Sequence, residues 1–404
     1  MSANPITDPT TGDAPPAPRP PGLFPFDAVL ALAGIGIMIC SLVTLRAATA
    51  GGHGYRPDVA GNPNYYVSRQ GIYFVAGTVL AIGLSRLDYS RLRELKHGLY
   101  ALLMASILLV LAVGSVAKGA QRSIQLPFFS FQSSEIGKVL LVLVLAAFVT
   151  DRSRSLGSRD TTARVMLLAL IPAAFVMLQP DLGSSLVYVV IVITVLFVAG
   201  APWQHFAALA ALGAVAIALV LVAAPAAGVE VVKPYQKDRL TAFLNPTDNP
   251  AKQGYQQNQS RIAIGSGEKT GRGQNATQTK LNFLPEHHTD FIFAVVGEQW
   301  GFVGAALILS LYALLIWRGL RILTMSKNLY GALVAGGIVA MLMFQVFVNV
   351  GMTIGIMPIT GIPLPLMSYG GSSVITTLLA LGLLQSIYAQ GRQAAAYKGR
   401  ILSF

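Results

Sequence analysis

Charged side chains are scarce in this sequence. Asp, Glu, Lys and Arg make up 11% of its 404 residues, where a water-soluble chain carries about a quarter. That is too little polar side chain to cover a soluble surface, and it excludes the two or three soluble domains that length alone would allow. Cysteine is nearly absent: Cys40 stands alone, so no intrachain disulfide framework exists. Acids are fewer than bases, 17 against 29, and the net charge is +12. The bases lie in short stretches between apolar runs and form no single face. That pattern argues against nucleic acid and for the positive-inside bias of a membrane protein.

Apolar residues are abundant. They are 54% of the chain, and mean hydropathy is +0.60. The first long run is Phe26–Leu45. Others lie near Gln70–Leu84, Gly98–Val116, Ser134–Thr150, Thr162–Leu178, Leu182–Gly200 and Trp203–Ala224, and the last three near Phe291–Trp317, Gly331–Val350 and Gly370–Tyr388. The pattern predicts an all-α polytopic membrane protein of about ten transmembrane helices. A large extracytoplasmic loop, residues 225–290, separates spans seven and eight. Several runs fall short of the roughly 20 residues a straight span needs, so polar residues buried against neighbours must complete them.

Residues 1–25 hold eight prolines and no apolar period, which predicts a disordered cytoplasmic tail. The ten-span domain then occupies 26–390, and a cytoplasmic tail 391–404. The first run has 20 residues with only Arg19 ahead of it, unlike a signal peptide with its basic start and shorter core. It is expected to stay as a span. Lys and Arg number fourteen in the loops after spans two, four and eight plus the C-terminal tail. The other side carries five: Arg46, Arg56, Arg69, Lys118 and Arg122. Both termini are therefore expected in the cytoplasm, and 225–290 outside.

Ionisable groups at membrane depth are costly and point to function. Asp27, Glu135, Asp181, Asp290 and Glu298 are such groups. Asp27 reads as an interfacial charge. Glu135 and Lys138 are neighbours on one helix face; they form either a neutralising ion pair or, with Lys138 and Arg122 acting together, an anion site. Asp290 follows Leu284-Pro285-Glu286-His287-His288-Thr289 and opens span eight. There Thr289 or Asp290 closes a helix cap, or Asp290 is a carboxylate at the boundary of water and apolar protein, where desolvation makes it a usable base. Glu298 lies about 12 Å deeper along the same helix and could equally be a structural hydrogen-bond partner.

Two stretches resemble sites and are set aside. Gly265-Ser266-Gly267-Glu268-Lys269-Thr270-Gly271 lacks the spacing of a phosphate loop and reads as a flexible glycine hinge. Glu286-His287-His288 with Asp290 has metal-ligand residue types, but adjacent histidines point apart, so no dedicated metal site is expected. Pro358–Pro365 and Ser368–Ser373 break a helix before the last span. Such backbone is tolerated at depth only when buried or lining a cavity; it is expected to build the wall of an outward-facing cavity.

The chain resembles the SEDS (shape, elongation, division and sporulation) family over nearly its whole length after the tail. The resemblance rests on Tyr255-Gln256 through Gln259-Ser260-Arg261-Ile262-Ala263-Ile264-Gly265-Ser266-Gly267 and on Phe283-Leu284-Pro285-Glu286 through His288-Thr289-Asp290-Phe291-Ile292-Phe293-Ala294. Gly361-Ile362-Pro363-Leu364-Pro365 with Ser368-Tyr369-Gly370-Gly371-Ser372-Ser373 adds to it. Gly254-Tyr255-Gln256 and Met367 lean towards the RodA elongation branch over the FtsW division branch.

The resemblance implies a peptidoglycan glycosyltransferase of the bacterial cytoplasmic membrane that polymerises lipid II for elongation and rod shape. Its expected partners are lipid II, membrane lipids and a class B penicillin-binding protein. Asp290 matches the family's essential aspartate, Arg122 and Lys138 its basic positions near the outer face, and Glu135 its buried glutamate. Glu286, Thr289 and Glu298 are expected in support. The motifs require no cofactor and leave room for a divalent cation (Mg or Mn). The chain departs from the family at Ser123, Ser133 and Gln299, where Trp, Pro and Glu are usual. The competing readings are a division-type polymerase, a lipid II flippase and a scaffold for the transpeptidase.

Overall fold

The computed structural model describes residues 25–49, 64–117, 120–126, 129–219, 253–281 and 283–401. Without water in a bilayer core, backbone groups must be paired within each segment, and apolar runs of this length satisfy that as helices. Eight helices are long and apolar enough to cross a membrane: α1 (Ala28–Thr49), α2 (Tyr65–Arg86), α4 (Lys96–Val113), α5 (Ser133–Asp151), α6 (Arg159–Leu178), α11 (Ile292–Thr324), α12 (Leu329–Ile354) and α13 (Gly371–Ile401). Two shorter apolar helices, α7 (Leu182–Val198) and α8 (Trp203–Ala218), bring the apolar segments to the expected ten among the described residues. Three further helices are α3 (Arg91–Glu94), α9 (Gln253–Ser266) and α10 (Thr277–Lys280).

Burial separates the centre from the rim. The apolar windows of α5, α12 and α13 are 83%, 78% and 83% buried, whereas that of α4 is 17% buried. A helix apolar all round belongs inside a bundle or in lipid, and here α5 and α12 are the interior ones. Around them, α2 packs on α13, α1 on α11, α4 on α5, and α7 on α12.

Several expectations are revised. Asp27 is no simple interfacial charge: its side chain is fully buried and ion-paired with Arg318 of α11. Its Oδ1 accepts from Leu30 N at 2.9 Å, and Gln385 of α13 bonds its backbone N and O, both at 2.9 Å. One acid thus ties α1, α11 and α13 together. The last helix continues through the expected tail to Ile401, because Gln393 and Ala394–Ala396 favour helix and no proline interrupts them. Between α4 and α5 lies an unexpected antiparallel sheet of three short strands, β1 (Ser115–Ala117), β2 (Ala120–Gln125) and β3 (Ser130–Phe131), in order β1-β2-β3. The predicted tail up to residue 24, and residues 225–252 of the predicted loop, lie outside the described residues.

The predicted glycine hinge is instead a tight crossing. A Cβ on Gly267 would stand 1.8 Å from Gly297 O, and one on Gly271 2.2 Å from Gln299 O. The backbone of 267–271 therefore lies directly on α11. There α11 is broken at Gly301 (φ 61°, ψ −153°). The amides of Phe302 and Val303 donate to Glu268 O (2.9 Å) and Lys269 O (3.1 Å), while Arg272 N donates to Glu298 O (2.8 Å). The groups freed by the break are satisfied from the 267–272 turn, as the absence of water at depth requires.

Candidate active site at the start of α11

Asp290 sits in a turn that delivers it to the start of a spanning helix, two residues before Ile292. Glu286 takes a left-handed conformation (φ 56°), and its carbonyl accepts from Thr289 N (3.2 Å) and Phe291 N (3.3 Å). Thr289 Oγ1 also donates to Glu286 Oε2 at 3.1 Å. The cap position of α11 falls on Phe291, which has no side-chain acceptor. The expected cap at Thr289 or Asp290 is thus displaced by one or two residues.

A second wall holds the turn from behind. Asn349 of α12 is fully buried, and its Nδ2 donates to Asp290 O (2.9 Å) and Ile362 O (2.8 Å). Ser368 Oγ donates to Thr289 O (2.6 Å) and accepts from Leu364 N (2.8 Å). Tyr369 N donates to His288 O at 3.0 Å. The carbonyls of three consecutive residues, 288 to 290, are therefore gripped by the segment from 349 to 369. That segment is held in turn by Gln70 Nε2 on Ser368 O (3.1 Å), Ser41 Oγ on Met367 O (2.8 Å) and Tyr312 OH on Pro365 O (2.5 Å). Asp290 itself is half-buried. Beside it, the His288 ring lies 4.6 Å from that of Tyr66, and Tyr66 lies 4.9 Å edge-on to Tyr369.

Ser372 links this corner to the other charged group. Its Oγ donates to Ser130 O (2.6 Å) and accepts from Gln132 N (3.0 Å), just before α5. On α5, Lys138 Nζ lies 2.6 Å from Glu135 Oε1, with both side chains almost fully buried. Asp181 completes the cluster. It accepts from Ser134 Oγ (2.7 Å) and Gln132 Nε2 (3.0 Å), and its Oδ1 caps α7 through Ser184 N (3.0 Å). Arg122 lies on β2, whose Ile124 and Gln125 pair with Phe131 and Ser130; its side chain is outside what the structure describes. Glu298 is fully buried and accepts from Gln278 N (2.7 Å), Thr279 N (2.9 Å) and Thr279 Oγ1 at the start of α10. Its bonds are those of a structural partner to the preceding segment.

Among the described residues, no set of three His, Cys, Asp or Glu gathers to hold a metal ion. His287 is buried and its Nδ1–H donates to Leu284 O at 2.9 Å. Burial pulls its pKa down, against the opposing pull of that bond and of the Glu298 charge. Asn349 escaped the sequence reading, and Ser368 entered it only as part of a helix-breaking segment. A lone Asn in an apolar run, Phe347-Val348-Asn349-Val350, was the available signal, since polar residues in spans bind neighbouring segments.

Sequence and structure comparisons place this architecture among known proteins. A profile of the FtsW/RodA/SpoVE cell cycle protein family matches residues 28–393. The peptidoglycan glycosyltransferase MrdB of Escherichia coli is 41% identical over 293 residues, covering 72% of this chain and 76% of that protein. A chain of a peptidoglycan synthase complex, solved to describe structural coordination of polymerization and crosslinking, is 32% identical. It superposes with a TM-score of 0.73 over 92% of this chain and all of that one. The rod shape determining protein RodA of Thermus thermophilus is 30% identical, with a TM-score of 0.64 over 91% of this chain and 98% of its own. The ten apolar segments, the turn before α11 and the non-helical wall behind it thus have a common origin: the chain is a multi-pass membrane protein of the FtsW/RodA/SpoVE, or SEDS, family.

Proposed function

We propose that this chain is a RodA-type peptidoglycan glycosyltransferase that polymerises lipid II during cell-wall elongation, with Asp290 as general base. The observation that carries the reading is the placement of Asp290, half-buried at the start of a spanning helix with its backbone fixed by Asn349, Ser368 and Tyr369. Lipid II brings its own leaving group, a pyrophosphate. The reaction then needs a base for the acceptor sugar hydroxyl and cations for the departing charge. Asp290 takes the hydroxyl proton as the glycosidic bond forms, and the bond to the pyrophosphate oxygen breaks. A single displacement inverts the anomeric centre. Arg122 is the first cation offered to the pyrophosphate. Lys138 is the second, exchanging Glu135 for the incoming anion. Glu286 and Thr289 shape the turn, and a class B penicillin-binding protein supplies crosslinking.

The test is gel-resolved glycan formed from purified lipid II, with and without the penicillin-binding partner. Asn has nearly the volume of Asp and cannot accept the proton, so Asp290→Asn should lower the rate about 10²–10⁴-fold. Thermal stability and partner pull-down should be unchanged. Near wild-type polymerisation by Asp290→Asn would remove Asp290 as the base, and no glycan from the wild type, with lipid II translocated in vesicles, would replace the enzyme with a flippase. A carrier would use a broken helix to bind cargo near the midplane, whereas the break at Gly301 is filled by residues 267–272 of the same chain.

The bias of Lys and Arg supports a cytoplasmic position for both termini. On a Cys40→Ser background, Lys252→Cys should react with an impermeant maleimide from outside and Arg154→Cys only after permeabilisation. The reverse pattern would invert the topology and remove Asp290 from the outer face.

A further inference from the structure

A second polar site lies at the opposite end of the bundle, beyond the far end of α11 from Asp290. Ser90, Arg93, Glu94 and Lys96 around α3, Asp151 at the end of α5, and Tyr330 at the start of α12 line a cavity of about 370 Å³. One hydroxyl on its lining, that of Tyr330, has no hydrogen-bond partner. Tyr330 is only 1% exposed, and a buried hydroxyl left unpaired is costly unless something binds it. Its ring is fixed by stacking on Tyr89 at 6.1 Å. Tyr89 OH in turn donates to Asn328 Oδ1 (3.1 Å), which also caps α12 through Gly331 N (2.9 Å).

The charges decide what fits. Arg93 (2.6 Å) and Lys96 both pair with the single carboxylate of Asp151, and Glu94 is exposed beside them. The lining thus carries two cations and two carboxylates. An anion alone would face Glu94 and Asp151, and a cation alone would face Arg93 and Lys96. A ligand carrying a phosphate and a primary ammonium a few bonds apart answers both. Its phosphate oxygens accept from Arg93 and the Tyr330 hydroxyl, and its ammonium donates to the carboxylates. Leu95, between Glu94 and Lys96, and nearby Leu87 are 56% and 58% exposed, which suits a ligand with acyl chains. We propose that this cavity binds the phosphoethanolamine head group of an aminophospholipid.

The test is thermal unfolding of the full chain in detergent, titrated with phosphatidylethanolamine, phosphatidylcholine and phosphatidylglycerol of matched chains, and with soluble glycerophosphoethanolamine. Phosphatidylethanolamine should raise Tm most, because choline has no N–H and glycerol no cation. Tyr330→Phe removes only the unpaired hydroxyl, so the unliganded protein should keep or gain stability. Its affinity for phosphatidylethanolamine should fall roughly ten- to a hundredfold, the range for a lost hydrogen bond to a charged group. Arg93→Gln should act in the same direction. Equal shift by the soluble head group would keep the site and make its ligand a soluble one. Equal shifts from all three lipids, or a phosphatidylethanolamine shift unchanged in Tyr330→Phe, would overturn the proposal.

Discussion

The Asp290 corner is held through carbonyl oxygens, whereas the Glu135–Lys138 pair is held through charge. At the corner, donors from Asn349, Ser368 and Tyr369 grip the backbone of residues 288 to 290. At the pair, two formal charges lie 2.6 Å apart with almost no exposure, so each is the other's solvent. Both stand at one end of the bundle, joined by Ser372 and its bonds to Ser130 and Gln132. The difference is instructive. The Asp290 carboxylate has its position set by neutral bonds to its main chain, while a buried pair is stable only as a pair.

Breaking the pair should have the largest effect on stability. Lys138→Met strands the Glu135 carboxylate, and removing one partner of a buried ion pair costs about 3–5 kcal/mol. The double change Glu135→Gln with Lys138→Met removes both charges and should recover most of that loss in thermal unfolding. Activity sharpens the comparison. If Lys138 also meets the pyrophosphate, the double variant folds but polymerises poorly; full activity there reduces Lys138 to a counter-charge for Glu135. A stable single Lys138→Met variant would show that the pair is not held by mutual charge.

A middle-sized effect is expected at Asn349. Asn349→Leu keeps the branching at Cγ and removes the donor to Asp290 O and Ile362 O, leaving buried acceptors unpaired at about 1–3 kcal/mol. The proposed base stays in the chain, yet the turn carrying it loosens, so glycan synthesis should fall further than Tm explains. Wild-type activity in this variant would show that the corner is held without its backbone grip.

The spans were legible because their signal is local: each apolar run carries its own helix. Asp290 was legible for the same reason, since Pro285 and the polar run to Thr289 mark where a helix begins. The contacts that give these elements their meaning are not local. Asp27 meets Arg318 across 291 positions, and Gly267 and Gly271 touch residues 297–301 of another helix. Glycine in a polar stretch has the same appearance whether it bends or is pressed flat, so the crossing read as a hinge. The strands before α5 were hidden for a different reason. β1 and β3 have only three and two residues, too few for an alternation to show.

The smallest effect expected lies in the turn before Asp290, at His287. It is 8% exposed, and its Nδ1–H donates to Leu284 O at 2.9 Å in the turn before Asp290. A carbonyl only accepts, so Nδ1 carries the proton and neutral Nε2 carries none. Burial lowers its pKa below the ordinary 6.5, more than the Leu284 bond and the Glu298 charge raise it. In the unfolded chain the imidazole takes up a proton near 6.5; in the folded protein it does so only at lower pH. Between those values the unfolded state binds more protons, so stability declines as pH falls from about 6.5 through the folded value and is fully present above it. The measurement is Tm against pH for the wild type and for His287→Gln, which keeps a donor for Leu284 O and cannot ionise. The difference between the two curves should be flat above pH 6.5 and open below it. Curves that stay parallel down to pH 5 would mean His287 is charged as readily in its turn as in water, and the wall around Asp290 would be wetter than its burial implies.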